Sequence, residues 1–315
     1  MQKHIYLIGT GQMAIDYAKV LVAQNHSVTV IGRGETSALK FEQTTGIKPI
    51  TGGINNYLTN NSFPENSYVI IATGTQDLMQ TMLTVLKAGA YHVLVEKPAA
   101  ISIEELLANE KNLEPYADRV FVAYNRRFYA SVIEAQKLIE EDGGLQSMHF
   151  EFTEWAHKIE PLEKAPGVKE NWFFANSTHV VALAFYMAGK PVDWKAYSKP
   201  GKLTWHNKTN FAGAGITEKG VLFSYLSNWE SAGRWGIELL TENRRIYLKP
   251  LEGVAIQIKG SVLIENHTFD DEIDKNYKPG LFKQTEAFLG DNLAHAESLV
   301  YHIINSKEVY KQIFR

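Results

Sequence analysis

The sequence predicts an α/β protein, with an N-terminal doubly wound parallel sheet followed by an α+β domain that has a large, mostly antiparallel open sheet. Two patterns indicate this. The first third of the chain alternates short apolar runs of strand length with stretches of helical periodicity, which is typical of a parallel sheet covered on both faces. Beyond Gly144 the chain carries longer alternating runs rich in aromatic and β-branched residues, which is typical of half-exposed strands.

The elements of the first part can be placed one by one. The predicted strands cover residues 4–8, 27–31, 68–72, 91–95 and 120–124. The apolar periodicity predicts helices over 13–24 and 78–88. Because crossover connections between parallel strands are right-handed, this alternation fits a doubly wound sheet.

The second part begins after an amphipathic helix predicted over 127–141, which Gly143-Gly144 ends. The runs 148–155, 194–205, 213–229 and 234–258 are predicted as long strands, and helices return from Leu281. We place the domain boundary near 122–125. This gives a dinucleotide-binding domain over 1–122 and a substrate-binding and oligomerisation domain over 123–315.

Composition excludes several classes of function. The chain of 315 residues has no cysteine, which removes disulfides, thiolate metal sites and cysteine nucleophiles and fits a reducing cytoplasm. A net charge of −3 argues against binding to nucleic acid or to a membrane surface. The apolar runs are too short for a signal-peptide core or a membrane span. The histidines lack metal-ligand spacing, so we predict no metal site.

A glycine-rich turn joins the first strand to the first helix. The segment Gly9-Thr10-Gly11-Gln12-Met13-Ala14 reads G-x-G-x-x-A. The first glycine permits a tight turn, the second lets the backbone approach a pyrophosphate, and the small third residue lets helix and strand pack closely. The helix N-terminus then presents free N–H groups to the phosphates. The turn therefore predicts dinucleotide binding by Gly9 to Met13.

The end of the second strand bears on which dinucleotide is bound. NAD sites usually place an Asp or Glu there to hold the ribose hydroxyls, whereas this strand ends in Ile31-Gly32-Arg33-Gly34. A guanidinium suits a 2′-phosphate, so we favour NADP over NAD. The alternative is that Arg33 is a solvated loop residue and Glu35 contacts the ribose.

A charged tripeptide directly follows the fourth strand. Glu96-Lys97-Pro98 comes after the apolar run that ends at Val95, at the edge where open α/β sheets bind ligands. A lysine near a nicotinamide ring and a substrate oxygen can hydrogen-bond the carbonyl or alcohol, and its charge favours a developing alkoxide. The alternative is that Lys97 only pairs with a nearby carboxylate.

Three motifs in this order resemble the Gfo/Idh/MocA oxidoreductase family, which includes glucose-fructose oxidoreductase and inositol dehydrogenase. They are the glycine turn, the segment 88–98 that ends in Glu96-Lys97-Pro98, and Tyr124-Asn125-Arg126-Arg127-Phe128. The resemblance covers residues 1–150 well and the rest more loosely. It implies a Rossmann domain, a nicotinamide cofactor, a substrate that is usually a sugar, cyclitol or nucleotide sugar, and a homodimer or homotetramer formed through the second-domain sheet.

The resemblance also implies roles for single residues. Lys97 corresponds to the family's active-site lysine, and the Lys97–Pro98 bond is often cis in the family. Besides the glycine turn and Arg33, we assign Thr73, Glu96 and Lys97 to the cofactor. The residues assigned to the substrate are Tyr124, Asn125, Arg126 and Trp172. Trp172 is included because aromatic rings stack on sugars, although packing in the core is the alternative.

A histidine in the second domain matches the centre of the family's D-x-G-x-H-x-x-D pattern. In the run Ala175 to Ala182 only His179 remains, and Ala175, Ser177 and Ala182 replace Asp, Gly and Asp. We assign His179 as the catalytic partner of Lys97, since an imidazole can exchange a proton with a substrate hydroxyl. The alternative is a histidine that only caps a buried helix.

The local sequence around His179 predicts its place in a helix. The apolar run 178–188 is closed by Gly189, and Ser177 or Thr178 suits the N-cap. His179 would then lie in the first turn, where the helix dipole disfavours imidazolium.

The missing Asp at position 175 leaves the substrate and the chemistry open. The substrate could differ from a plain sugar, the reaction could run mainly as a reduction, or catalysis could be lost and binding kept. Asn176, Tyr124 or Glu154 could supply the absent polar group. We expect an NAD(P)-dependent oxidoreductase of a sugar-like or nucleotide-sugar carbonyl or alcohol. The alternatives are a non-catalytic NAD(P)-binding regulator of the same fold and a biliverdin-reductase-like reductase of a non-sugar substrate.

Overall fold

The computed structural model describes residues 2–315, which form fourteen strands and thirteen α-helices. In chain order the strands are β1 (His4–Ile8), β2 (Ser27–Ile31), β3 (Tyr68–Ile71), β4 (His92–Val95), β5 (Val120–Val122), β6 (Ser147–Glu151), β7 (Pro191–Lys199), β8 (Asn210–Thr217), β9 (Leu222–Asn228), β10 (Gly236–Leu240), β11 (Arg244–Leu248), β12 (Ala255–Ile258), β13 (Glu265–Asn266) and β14 (Glu297–Ser298). The helices are α1 (Gln12–Ala23), α2 (Glu35–Thr45), α3 (Gly53–Leu58), α4 (Leu78–Lys87), α5 (Ile103–Ala108), α6 (Glu110–Leu113), α7 (Ala130–Glu141), α8 (Ala156–Ile159), α9 (Thr178–Ala188), α10 (Glu272–Asn276), α11 (Leu281–Leu289), α12 (Leu299–Asn305) and α13 (Lys311–Phe314).

The chain divides into two compact units. The first comprises the chain up to Asn125 together with Ile273–Ile304, and the second comprises Arg126–Glu272 together with Asn305–Arg315. The segment 273–304, which the sequence analysis placed in the second domain, therefore packs with the first unit. Its helix α11 buries its apolar face in the core that α1 also covers, and β14 pairs with β5. Helical periodicity identifies an apolar face but not the sheet that the face covers.

The first unit is built on one twisted sheet with the order β2-β1-β3-β4-β5-β14. The pairs among β1 to β5 are parallel, and β14 runs antiparallel to β5 at the edge. Helices cover both faces, so the side chains of β3 and those of β1 after His4 are buried. The predicted doubly wound Rossmann sheet is confirmed.

The strand order positions the ligand edge of this sheet. The chain leaves β1 for β2 on one side and then crosses back to β3 on the other side. The loops after β1 and β3 therefore part in opposite directions, which opens a crevice at the carboxyl ends of the strands. Gly9 follows β1 and Thr73 lies in the loop after β3, so both lie at this crevice.

The second unit is built on an eight-stranded sheet with the order β13-β12-β11-β10-β6-β9-β8-β7. Only β6 and β9 pair in parallel, as predicted for a mostly antiparallel sheet. The run 213–229, predicted as one long strand, forms parts of β8 and β9 joined by a polar turn at Gly220. The run 234–258, also predicted as one long strand, contains three strands. The prediction merged them because the alternation of side chains continues across tight turns and does not reveal where the turns lie.

No helix among residues 2–315 combines the length and the apolar character needed to cross a membrane.

Candidate functional site

The turn after β1 depends on two glycines for different reasons. Gly9 has a φ of +125°, and a Cβ built there would lie 2.3 Å from the carbonyl oxygen of Ala72 at the end of β3. A Cβ at Gly11 would meet no atom within 4 Å. Gly9 is therefore required by the packing of the protein itself, whereas Gly11 leaves open space on the ligand side.

A cavity of about 680 Å³ opens over this turn, a size typical of sites for small ligands. The predicted cofactor residues that line it are Gly9, Thr10, Gly11, Gln12, Met13, Arg33 and Thr73. The remaining two, Glu96 and Lys97, are not among the lining residues. The structure thus brings together most of the predicted cofactor residues, drawn from the ends of β1, β2 and β3.

The donors around this cavity fit a dinucleotide. The N-terminus of α1 has no side-chain cap and no acidic residue in its first turn, so its N–H groups are available to an anion. The hydroxyl of Thr73 is buried and has no hydrogen-bond partner within residues 2–315. A buried hydroxyl without a partner is unfavourable, and a ligand group that pairs with it would relieve this cost.

A cation and a hydroxyl flank the cavity beyond β2. The side chain of Arg33 is 80% exposed, and its Nη2 lies 3.4 Å from Oδ2 of Asp77, an exposed pair that contributes little stability. Ser37 also lines the cavity, and its Oγ accepts a hydrogen bond of 2.9 Å from the hydroxyl of Thr10. Glu35, the alternative ribose contact, is exposed and is not a lining residue.

The tripeptide after β4 forms a tight turn. The Lys97–Pro98 bond is cis, as the resemblance implied. The N–H of Ala99 donates to the carbonyl of Glu96 at 3.0 Å. The carboxylate of Glu96 accepts a hydrogen bond of 3.0 Å from the hydroxyl of Tyr17. Burial raises the pKa of Glu96, and the charge of Lys97 and the Tyr17 hydroxyl oppose this shift.

Two of the predicted substrate residues lie in the interior of the first unit. Tyr124 is buried, and its ring centroid lies 5.6 Å from that of His302. Asn125 is also buried, and its Nδ2 donates to the carbonyl of Pro279 at 2.9 Å. Neither residue lines the cavity over the glycine turn.

The helix that carries His179 covers the predicted residues, 178–188, but a π-helical turn precedes it. Helix α9 continues directly from a π-helical turn at Phe173–Ser177, and Ser177 has a helical φ of −65° and ψ of −25°. Neither predicted cap forms, because Ser177 donates to Glu154 at 2.8 Å and Thr178 donates to the carbonyl of Phe174 at 2.8 Å. Ser177 stands at the predicted N-cap position but makes no side-chain capping hydrogen bond, and the preceding π-turn weakens the helix-dipole argument for His179. π-turns are frequent at functional sites.

A buried carboxylate holds this π-turn. Glu154 is 1% exposed and accepts hydrogen bonds from Asn176 at 3.0 Å and from Ser177 at 2.8 Å. Nη1 of Arg234 lies 3.6 Å from its Oε2. Burial raises the pKa of Glu154, while the hydrogen bond from Ser177 and the charge of Arg234 lower it. The Trp172 indole also acts on this carboxylate and favours its charged form.

An indole links two of the predicted site residues. The guanidinium carbons of Arg126 and Arg234 lie 4.7 and 4.5 Å from the ring centroid of Trp235, within cation–π range. The ring centroid of His179 lies 6.0 Å from that of Trp235. Nε of Arg126 is buried without a hydrogen-bond partner in the part of the chain that the structure describes, and burial lowers the Arg126 pKa.

Strand pairing explains this cluster. In the pairing of β10 with β6, Gly236 lies opposite Glu151, so the residues before β10 adjoin those after β6. Arg234 thereby reaches Glu154, and Trp235 lies against Arg234 and near His179. The sequence did not predict Arg234 and Trp235 as site residues, because they lie at the start of a run whose pattern indicates only strand. Glu154 was named there as one of three possible replacements for the absent Asp.

The first unit matches a known family. Residues 3–124 match the family model GFO_IDH_MocA, described as an oxidoreductase family with an NAD-binding Rossmann fold. The Rossmann part of the chain is therefore similar to that of the Gfo/Idh/MocA oxidoreductase family. The resemblance carried by the three sequence motifs is confirmed.

Solved structures share the fold over the whole chain. UDP-N-acetylglucosamine 3-dehydrogenase GnnA from Acidithiobacillus ferrooxidans is 14% identical with a TM-score of 0.72, over 100% of this chain and 97% of that one. The WlbA dehydrogenase from Bordetella pertussis, in complex with NADH and UDP-GlcNAcA, is 16% identical with a TM-score of 0.70, over 100% and 96%. Levoglucosan dehydrogenase, in complex with NADH and L-sorbose, is 17% identical with a TM-score of 0.73, over 100% and 96%. No curated protein sequence matches the chain.

The chain departs from the histidine pattern of the Gfo/Idh/MocA family at Ala175 but keeps a carboxylate nearby. Ala175 is buried and offers no polar group. Glu154 reaches the next two residues, Asn176 and Ser177, through its hydrogen bonds. A carboxylate from another segment of the chain therefore lies close to the position of the missing Asp.

The raised pKa of Glu154 predicts a pH-dependent stability that Glu154→Gln removes. The folded protein holds this proton more tightly than the unfolded chain, so acidification towards the ordinary carboxyl value of 4.5 stabilises the folded state. When the pH is lowered from about 8 to about 5, we expect the free energy of unfolding of the wild type to increase more than that of Glu154→Gln. Urea denaturation at each pH measures this difference.

Glu151→Gln is the matched control for that measurement. Glu151 is the last residue of β6, three residues before Glu154, and it pairs with the partly exposed Lys249. The Glu151→Gln variant should keep the wild-type pH dependence. Equal pH dependence in all three proteins would contradict the assignment.

Proposed function

We propose that this protein is an NADP-preferring oxidoreductase that transfers a hydride between a nicotinamide ring and a sugar-like or nucleotide-sugar carbonyl or alcohol. The observation that carries the proposal is the cavity at the crevice between β1 and β3, with its uncapped helix N-terminus and its unpaired Thr73 hydroxyl. The match of residues 3–124 to the Gfo/Idh/MocA oxidoreductase family model supports the redox chemistry. The sugar class is supported by structural neighbours whose names include UDP-N-acetylglucosamine and levoglucosan.

The preference for NADP rests on residues of this chain. Arg33 is exposed at the cavity and only weakly paired, so its guanidinium can turn to a 2′-phosphate. Ser37, at the N-terminal end of α2, adds a hydroxyl on the same side. Two of the neighbouring structures contain NADH, so they do not argue for the phosphate.

Lys97 and His179 are proposed to handle the substrate oxygen and its proton. When bound, the nicotinamide cofactor supplies or accepts the hydride. Lys97 donates a hydrogen bond to the reacting oxygen, and its charge stabilises the negative charge that develops there. His179 takes the proton from the alcohol or returns it in the reverse direction.

The residues around His179 are proposed to orient the substrate. Glu154 fixes Asn176 through two contacts of 3.0 and 3.1 Å, so the amide of Asn176 has one defined orientation. Trp172 is half-buried and stands edge-on to Trp205 at 6.4 Å, which leaves aromatic surface for a sugar ring. Arg126 adds a guanidinium whose buried Nε has no hydrogen-bond partner among residues 2–315.

A non-catalytic NAD(P)-binding regulator is the second candidate. Ala175 and Ala182 favour it, because both replace acidic residues of the family's histidine pattern. This candidate shares the cofactor cavity and differs in lacking turnover.

Isotope transfer distinguishes the two candidates. Incubation of the protein with cofactor deuterated at nicotinamide C4 and a panel of sugars and nucleotide sugars should yield a labelled product, detected by mass spectrometry. Lys97→Met should lower kcat by roughly a hundredfold to a thousandfold, the usual loss when an oxyanion donor is removed. Lys87→Met, at the exposed end of α4, should leave kcat unchanged. Tight cofactor binding without label in any product would favour the regulator, and full activity of Lys97→Met would refute the role of Lys97.

Cofactor choice can be tested at Arg33. Arg33→Gln removes the charge that pairs with a 2′-phosphate, so its Kd for NADPH should rise by about tenfold or more, while its Kd for NADH should stay the same. Asp77→Asn is the control, since it removes the partner of Arg33 and keeps the guanidinium. Calorimetry with both cofactors measures these effects. Tighter binding of NADH than of NADPH by the wild type would overturn the preference.

We also propose that the chain forms a homodimer or homotetramer through the outer face of the second-unit sheet. Tyr197 and Leu226 both lie opposite Ala212 in adjoining strands and are 71% and 58% exposed, and Leu222 on β9 is 59% exposed. Exposed apolar patches of this kind mark interaction surfaces.

Sedimentation tests the assembly. The wild type should sediment as two or four copies of the 35.5 kDa chain, and Leu226→Glu should shift it to smaller species, because a charge would be buried in the interface. Val22→Glu, at an exposed position of the first unit, should leave the mass unchanged. A monomeric wild type would disprove the interface.

A further inference from the structure

A buried histidine from the C-terminal part of the first unit contacts the turn that carries Lys97. His302 lies on α12 and is fully buried. Its Nε2 is 2.9 Å from the carbonyl oxygen of Pro98. Because a carbonyl can only accept, His302 donates through Nε2, and this contact selects the tautomer that carries its proton there.

The turn is one that needs support. Ala99 has a φ of +69°, in the left-handed region that non-glycine residues seldom adopt. Such residues persist where their surroundings hold them, and they cluster at functional sites. The carbonyl that His302 contacts belongs to the peptide joining Pro98 to Ala99. The hydrogen bond therefore fixes the peptide that joins Pro98 to Ala99. This peptide lies directly before the residue with the positive φ and one residue beyond Lys97.

The other side of Lys97 is held by a different helix. The hydroxyl of Tyr17 on α1 lies 3.0 Å from Oε1 of Glu96 and 3.4 Å from Oε1 of Gln284 on α11. Tyr17 and Gln284 are both buried. Lys97 therefore projects from a turn whose preceding side chain is held by α1 and whose following carbonyl is held by α12.

An apolar residue would fill the place of His302 in this core without the cost of burying an imidazole. It would also leave the Pro98 carbonyl without this donor. Tyr124, whose ring lies 5.6 Å from that of His302, packs against the imidazole and limits its movement. Packing alone thus does not explain why a histidine stands at position 302. The need for a hydrogen-bond donor to the Pro98 carbonyl does explain it.

We propose that His302 is a positioning residue for Lys97, and that its hydrogen bond to Pro98 sets the direction in which the amine projects. This inference rests on the proposed function, since it gives His302 its effect through the chemistry of Lys97. His302 does not line the cofactor cavity. We therefore expect it to affect the position of the Lys97 amine and not the affinity for the cofactor.

The test compares a variant that keeps the donor with one that removes it. His302→Gln retains an N–H group at similar reach, whereas His302→Leu fills the space without a donor. His302→Leu should lower kcat by roughly tenfold to a hundredfold, because a small displacement of a reacting group has effects of that size. The Kd for NADPH should stay the same, and His302→Gln should restore kcat. Ile303→Ala, a buried neighbour on α12, controls for lost stability and should keep the wild-type kcat.

A second measurement needs no substrate. Competitive acetylation with acetic anhydride, followed by mass spectrometry, gives the labelling rate of Lys97 relative to that of Lys87 in each variant. His302→Leu should change this ratio, and His302→Gln should preserve it. In the wild type, nitrogen NMR should show His302 with its proton on Nε2, a result that does not depend on whether any variant folds.

Each outcome decides the proposal. It fails if His302→Leu keeps the wild-type kcat, if the labelling ratio of Lys97 does not change, if His302→Gln behaves like His302→Leu, or if Nε2 carries no proton. A wild type that transfers no label from the cofactor would refute the proposed function. The labelling ratio and the tautomer would still report on the position of Lys97.

Discussion

The close approach of Gly9 to the end of β3 is the constraint on which the first unit depends. With a Cβ position 2.3 Å from the Ala72 carbonyl oxygen, no other residue type fits without moving a backbone that is hydrogen-bonded into the sheet. The N–H of Gly9 bonds to the carbonyl of Ile31, and that of Ala72 bonds to the carbonyl of Ile8. These bonds join the ends of β1, β2 and β3 at the crevice. The cavity, the start of α1 and the position of Thr73 all follow from this junction.

The second unit uses a buried carboxylate in a comparable organising role. Glu154 accepts hydrogen bonds from two residues of the π-turn and pairs with Arg234, so a charge that would be costly alone is compensated by neighbours from two segments. The same contacts redirect Ser177 away from capping α9. Burial in this arrangement raises the pKa of the Glu154 carboxyl, and perturbed pKa values are common at functional sites.

The segment 273–304 shows why the first unit is not continuous in sequence. It adds an antiparallel edge strand to β5, and its helix α11 closes the face of the sheet next to α1. It also brings Gln284 to Tyr17 and His302 to Pro98, so the turn that carries Lys97 is supported by a residue 204 positions beyond Pro98. The environment of this lysine therefore depends on folding of the C-terminal part of the chain.

The sequence by itself determined the doubly wound sheet, the glycine turn and the order of the three family motifs. These are local properties of the sequence, because alternation, helical periodicity and the G-x-G-x-x-A pattern are each recognised within a short stretch of chain. It also pointed to His179 from one surviving position of a pattern. Only the tertiary structure decided that Arg234 and Trp235 lie beside Glu154 and His179, that α9 continues a π-turn, and that α11 covers the first sheet. Those arrangements depend on strand register and on which apolar face meets which sheet, and both are set by packing between segments far apart in the chain.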